Sequence, residues 1–254
     1  MIIESIYAVY RQHPTVQTDT RKLQAGEIFI ALKGPNFNGN QFAAKALDLG
    51  AALVVTDEET GIHDRRVIRV EDGLKCLQDL ALHHRKTFTI PFIAITGSNG
   101  KTTTKELVHA VLSTSFRTYT TQGNLNNHIG VPLTLLSVRE DAEMAVIEMG
   151  ANHQKEIEGY CQVALPTHGI ITNCGKAHLE GFGGVEGVRK GKGELYDFLR
   201  SSGGTAFVNW DYDYLQSMSR GIKEIIRYGT NEGKVTGRVS KNDPFLEVDI
   251  TNEN

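Results

Sequence analysis

The chain has 254 residues, enough for one or two domains with full cores. Its 40% hydrophobic and 22% charged composition is that of a globular protein, and a formal net charge of −3 excludes a general nucleic-acid binder, so an anionic ligand must be held by local groups. Three scattered cysteines exclude a disulfide frame or a cysteine zinc site, and no stretch approaches the ~20 apolar residues of a membrane span.

The opening, MIIESIYAVYRQHP, carries Glu4 and no long apolar core, so no signal peptide is expected and the reading is a soluble, cytoplasmic protein. Residues 1–89 read as a small α/β unit. Strands are predicted at 28–32, 52–55 and 67–70, and helices at 41–49 and 73–86, where Leu74, Leu77, Leu80 and Ala81 recur at helical spacing. The polar loop 33–40 follows a strand, the place where open sheets bind ligands. Asp19-Thr20-Arg21 either contacts a phosphate or caps a turn. Residues 87–91 are the expected join to a second unit, 90–254.

That unit opens with the buried strand Phe92–Ile95, then Thr96-Gly97-Ser98-Asn99-Gly100-Lys101-Thr102-Thr103, then a helix with Leu107, Val108, Val111 and Leu112 expected on one face. Strand, glycine turn, Lys-Thr and helix make a phosphate cradle. Glycines let backbone N–H groups converge on an anion, and the helix start adds positive potential. Lys101 is placed to reach the β- and γ-phosphates, and the Thr102 hydroxyl to hold Mg²⁺. The spacing Gly97-x-x-Gly100-Lys101-Thr102 departs from the common phosphate loop, whose first glycine would fall at Ile95.

Further along, the loop 120–132 holds Asn124, Asn126 and Asn127, which either turn the chain or recognise a polar substrate. Strand 144–148 ends in Glu148, which either completes a Mg²⁺ shell or is an exposed acid. Strand 169–173 leads to His178, and helix 188–199 carries Arg189, Lys190, Lys192 and Glu194; pattern alone cannot select Lys192 from its neighbours. Strand 206–209 enters the polar turn 209–213, strand 225–229 follows, and 235–250 reads as a β-hairpin.

These motifs resemble the Mur ligases, ATP-dependent amide-forming enzymes of peptidoglycan synthesis, over essentially the whole chain. Residues 96–102 match the family's Thr-Gly-Thr-Asn-Gly-Lys-Thr loop apart from Ser98. GNLNNHIGVP at 123–132, IEMGANHQKEI at 147–157 and AHLEGFGGVEGVRKGKGEL at 177–195 resemble the members that add D-alanyl-D-alanine.

The resemblance implies an α/β fold: a small N-terminal domain (1–89) binding a uridine-linked substrate, then an incomplete three-layer ATP-binding domain (90–254). A third domain is expected beyond this chain, which alone is not expected to be fully active. ATP would be bound by residues 96–103 and by Asn209, although the family's Asn-Ala-Asp-Asp is Asn-Trp-Asp-Tyr here. Thr102, Glu148, His178 and a carbamylated Lys192 would hold two Mg²⁺ ions, with Lys101, Glu148, His178 and Lys192 as the catalytic set. Thr20, Arg21, Asn38, Gly39, Asn124 and Asn127 would contact substrate, although Asn38-Gly39-Asn40 replaces the family's Asp-Gly-His.

The implied reaction joins D-alanyl-D-alanine to UDP-N-acetylmuramoyl-tripeptide through an acyl phosphate, in a monomer serving cell-wall biogenesis, cell shape and division. The alternatives are the third-residue-adding enzyme, folylpolyglutamate synthase, and a nucleotide- or precursor-binding fragment that does not ligate.

Overall fold

The computed structural model describes residues 2–176 and 178–252. The chain divides into two compact units. The first is Met1–Thr89 with Ile129–Glu140, and the second is Ile90–His128 with Asp141–Asn254. A twelve-residue excursion, 129–140, thus leaves the second unit and belongs to the first, which sequence pattern did not anticipate.

In the first unit the elements are α1 (Ile2–Gln12), β1 (Val16–Gln17), β2 (Ile28–Ile30), β3 (Lys33–Gly34), β4 (Phe37–Asn38), α2 (Ala43–Asp48), β5 (Leu53–Thr56), β6 (Val67–Arg69) and α3 (Gly73–Arg85). β1, β2, β5 and β6 form a parallel sheet in the order β1-β2-β5-β6. β2 and β5 are buried along their whole length, so they read as continuous apolar runs. Phe29, Ala31, Ala46 and Val54 pack into one core cluster. The N-terminal helix α1 was missed in the sequence. Its signal was there: Ile6 and Tyr10, one turn apart, are its buried pair.

The second unit begins with β7 (Phe92–Thr96), α4 (Lys101–Leu112) and β8 (Thr118–Thr120). After the excursion, which forms α5 (Gly130–Ser137), come β9 (Met144–Glu148), α6 (Glu156–Ala164), β10 (His168–Ile171), α7 (Leu179–Phe182), α8 (Val185–Ser202), β11 (Thr205–Asn209), α9 (Asp213–Met218) and β12 (Glu224–Gly229). The hairpin β13 (Val235–Lys241) and β14 (Glu247–Asn252) closes the described chain. The eight strands run in the order β14-β13-β12-β11-β10-β7-β9-β8, parallel except for β14.

This order fixes where a ligand is expected. From β7 the chain goes to β8 at one edge; from β9 it goes to β10 on the far side of β7. β7 and β9 are neighbours, with Ile95 opposite Glu148. Their carboxyl ends therefore flank the topological switch point of the sheet.

One expectation about α4 is corrected. Val108 and Leu112 pack on the core with Ile93, Ile95, Val146 and Ile170. Leu107 and Val111 are 63% and 69% exposed. Adjacent residues on a helix lie 100° apart, so the rows 107/111 and 108/112 diverge, and the sheet takes only one of them.

Candidate functional site

The loop after β7 has the backbone of an anion cradle. Gly97 adopts φ +145°, and a Cβ there would lie 2.0 Å from Thr172 Oγ1. Gly100 adopts φ +79° and is the N-cap residue of α4, so the helix start has no N-cap side chain over it. The end of β10 holds the loop. Ser98 N donates to Asn173 O at 2.9 Å, Thr172 Oγ1 donates to Asn99 O at 2.6 Å, and Asn99 N donates to Asn173 Oδ1 at 3.2 Å. Thr96 is fully buried and its hydroxyl donates to Met149 O at 2.8 Å, so its side chain braces the loop from beneath. The Ser98 hydroxyl bonds Gly175 on both sides, accepting from its N–H and donating to its O. Thr102 and Thr103 are exposed.

Lys101 curls back over this loop, donating to Gly97 O at 2.8 Å and Ser98 O at 3.2 Å. Burial pulls its pKa below the usual lysine value, against the attraction of Glu148.

Glu148 sits opposite, at the end of β9, and is 1% exposed. Its backbone N–H donates to Thr121 Oγ1 at 2.9 Å. Oε1 accepts from Asn126 Nδ2 at 2.8 Å and from Thr102 Oγ1 at 3.2 Å. Oε2 is buried and has no hydrogen-bond partner among the described residues. A buried, bare carboxylate oxygen is expensive unless a cation completes it. With the Thr102 hydroxyl beside it, the donor set is the hard, all-oxygen kind that suits Mg²⁺.

Lys192 lies on α8 and is 2% exposed. Its Nζ donates to Ala151 O at 3.0 Å and stands 5.0 Å from the centre of the Phe182 ring. Gly191 makes this possible, because a Cβ there would meet that ring at 2.4 Å. Burial, reinforced by the charge of Lys101, pushes Lys192 down to about 8. Lys190, two residues earlier, is exposed, which separates two lysines that sequence pattern could not. Glu194 is a tertiary helix cap: its oxygens accept from Lys155 N at 2.6 Å and Glu158 N at 2.9 Å at the start of α6. Lys192 and Glu194 thus both grip the segment that follows Glu148.

His178 is exposed, with φ +54°, at the head of α7. The preceding Ala177, part of the stretch 177–195, lies outside the described residues. Among the described residues no three His, Cys, Asp or Glu side chains converge as a metal cluster. The oxygen set that the structure assembles is therefore Glu148 with Thr102.

Asn209 turns the chain: its Oδ1 accepts from Asp211 N at 3.0 Å. Beyond it, Tyr212 and Tyr214 stack at 5.3 Å, and the Arg189 guanidinium lies 5.0 Å from the centre of the Tyr214 ring. Arg189, Tyr212 and Tyr214 line a cavity of about 800 Å³ between α8 and α9. Asn124 and Asn127 are both exposed. The third asparagine, Asn126, is the one brought to Glu148, and nothing in the sequence distinguished it.

In the first unit, Thr20 is buried and Arg21 forms an exposed ion pair with Asp19 at 2.6 Å. That partner holds the Asp19 carboxyl down at about 2. Gly39 lies against Leu32, where a Cβ would come 2.7 Å from Leu32 N. Asn38 serves the loop itself: its oxygen accepts from Asn40 N and Nδ2, and its amide donates to Glu58 Oε2 at 2.8 Å. The residue missed here is Asp57, at the end of β5. Asn40 Nδ2 donates to its Oδ1 at 2.7 Å, Gly73 N to its Oδ2 at 3.2 Å, and Lys33 Nζ pairs with it at 3.2 Å.

Residues 95–251 match the Mur ligase middle domain, and residues 14–85 match the Mur ligase family, catalytic domain. The chain is similar to a UDP-N-acetylmuramoyl-tripeptide–D-alanyl-D-alanine ligase of Bacillus subtilis, at 42% identity over 195 residues, which is 76% of this chain and 43% of that protein. A crystal structure of MurF from Acinetobacter baumannii aligns with a TM-score of 0.79 and 35% identity over 88% of this chain and 49% of its own. A MurF ligase from Thermotoga maritima in complex with ADP aligns with a TM-score of 0.84 and 27% identity, over 93% and 55%. The chain spans about half the length of these relatives.

Proposed function

The chain belongs to the Mur ligase family, and from that premise we propose that it carries the nucleotide part of an ADP-forming ligase joining D-alanyl-D-alanine to UDP-N-acetylmuramoyl-tripeptide. The observation that carries the reading is Glu148 Oε2, buried and bare beside the Thr102 hydroxyl at the mouth of a glycine cradle. The substrates are those of the ligases this chain is similar to.

The amides of residues 97–102 would take the phosphates, and Lys101 would leave its two loop carbonyls to follow them. Glu148 and Thr102 would hold Mg²⁺. An ion held there would supply positive charge against the phosphate charge that develops during transfer. A carboxylate oxygen of the tripeptide attacks the γ-phosphorus, the bond to the bridging oxygen breaks, and ADP leaves. The amine of D-alanyl-D-alanine then attacks the acyl carbon, loses a proton, and expels phosphate as the amide forms. For both steps the protein's contribution is placement and charge.

Lys192 fits the proposed carbamate. With its pKa at about 8, roughly a tenth of the amine is neutral at pH 7, against well under a thousandth for an ordinary lysine. The neutral amine adds CO₂ and releases one proton, leaving an anion near Lys101. Asn209 and the stacked Tyr212 and Tyr214 are the proposed seat of the base. In the first unit, the ends of β2 and β5, with Lys33, Asn40 and Asp57, are the proposed uridine-diphosphate side, with Thr20 and Arg21.

The test is a ligation assay on the full-length gene product with ATP and D-alanyl-D-alanine. UDP-N-acetylmuramoyl-tripeptide, the uridine-linked dipeptide and a folate are offered in parallel. ADP and amide should form with the tripeptide. Turnover with a folate alone would overturn the substrate assignment.

A further inference from the structure

Lys105 lies one turn beyond Lys101 on α4 and is 1% exposed, yet the phosphate chemistry proposed above has no use for it. Its row on the helix is the buried one, shared with Val108 and Leu112. An apolar residue would fill that space. The ammonium instead donates to Thr121 O at 2.7 Å and to Glu106 Oε1 at 2.6 Å. A buried cation is retained at a desolvation cost, so its bonds point to what it does.

Glu106 is a surface partner, 59% exposed, whereas the bond to Thr121 leads to Glu148. Thr121 is fully buried just after β8. Its N–H donates to Val146 O at 3.1 Å, and its hydroxyl oxygen accepts from Glu148 N at 2.9 Å. β8 is only three residues long and lies at the edge of the sheet, so its own ladder holds it weakly. The next residues, 122–126, deliver the amide that holds Glu148 Oε1.

We infer that Lys105 is a positioning residue for the Glu148 carboxylate. Its ammonium pins Thr121 between α4 and β9. That contact fixes the Glu148 backbone through the Thr121 hydroxyl. It also fixes the start of the loop bearing Asn126, so Oε1 stays engaged and Oε2 is left as the open ligand. The inference rests on the nucleotide and Mg²⁺ reading.

Calorimetric titration of the 254-residue chain with ATP, with and without Mg²⁺, tests it. Lys105→Met keeps an unbranched chain one atom shorter and removes the donors. Its metal-free ATP affinity should stay within about twofold of wild type, while the gain in affinity conferred by Mg²⁺ should shrink roughly tenfold, the low end for losing a residue that orients a metal ligand. Lys105→Arg, which keeps donors on a buried cation, should recover part of that gain. Hydrogen exchange at the Glu148 amide should accelerate in Lys105→Met.

If Lys105→Met fails to fold, Thr121→Val cuts the same chain one link later and should show the same reduced Mg²⁺ gain. An unchanged gain in whichever variant folds overturns the inference. So does an equal loss of metal-free affinity, which means general damage. A wild-type chain with no Mg²⁺-dependent gain overturns the metal reading, and this inference with it.

Discussion

Asn126 donates its side-chain amide to Glu148 Oε1 at 2.8 Å, and Gly150 makes room for it: a Cβ on Gly150 would lie 2.9 Å from the Asn126 amide. The loop that carries Asn126 is also tied to Gly150, whose N–H donates to Asn126 O at 2.8 Å. One oxygen of Glu148 is thereby occupied by protein donors, and the other has no partner among the described residues.

Removing that donor should loosen the metal site without touching the phosphate loop. Asn126→Leu is expected to raise the Mg²⁺ concentration needed for tight ATP binding by about 10- to 100-fold. Gly150→Ala should act in the same direction by displacing Asn126. Asn124→Ala, an exposed position, should leave the Mg²⁺ dependence as it is. Calorimetry across a Mg²⁺ series checks all three.

Two glycines of the phosphate loop should respond differently to alanine. Gly100→Ala meets open space and only a left-handed backbone, a cost of about 1–2 kcal/mol. Gly97→Ala adds a collision with Thr172 Oγ1, which is itself bonded to Asn99 O, and should cost more than ~2 kcal/mol and abolish ATP binding. Urea unfolding followed at Trp210, the chain's single tryptophan, measures both. Equal effects would mean that the loop relaxes around Gly97.

Lys192→Ala in the full-length enzyme should lose turnover, and added short carboxylates should partly restore it by standing in for the carbamate. Lys190→Ala should be nearly silent, because its side chain points to solvent. Loss without carboxylate rescue would leave Lys192 a role as a cation or in packing.

The same lysine should make stability depend on pH. Its folded-state pKa, about 8, lies below the unfolded value near 10.4, so between these values the unfolded chain binds more protons. Stability relative to Lys192→Met should therefore rise by about 3 kcal/mol as pH climbs from 8 to 10.5, and the deficit should be complete below pH 8. Unfolding at Trp210 in CO₂-free buffer provides the measurement. A flat difference would place the ammonium in contact with solvent.

His84 should destabilise the first unit in acid. It is buried, accepts the Tyr7 hydroxyl at Nδ1, and donates from Nε2 to Val138 O at 2.8 Å, with Tyr10, Arg139 and Phe88 packed around it. Burial lowers its pKa below 6.5, with the Arg139 charge in the same direction and the Val138 bond opposing. The unfolded chain then gains the proton first as pH falls. Stability is complete above about pH 6.5 and declines below it, most visibly as faster hydrogen exchange in α5. His84→Gln should flatten that decline.

Local pattern determined a good deal here. Residues 92–102 announced a strand, a glycine turn and a helix start, because strand burial, glycine φ and helix periodicity are written within a few residues. The same holds for the run ending at Glu148 and for the hairpin at 235–250. The family resemblance rested on these short stretches and needed no contact map.

Tertiary structure decided which polar side chains do the work. Three asparagines in 124–127 look alike in sequence. Only the fold, by setting β9 against β8, brings Asn126 to Glu148, 22 positions away. No local pattern marks Lys105 as buried; it is buried because α4 turns its 105/108/112 row toward the sheet. Lys190 and Lys192 differ in the same way, one exposed and one buried against Phe182 and Ala151. The missed excursion 129–140 follows the same logic: α5 is apolar on most sides, so its pattern names no partner, and only packing assigned it to the first unit. A side chain's burial, and with it its charge and proton affinity, depends on residues dozens of positions away that no local window contains.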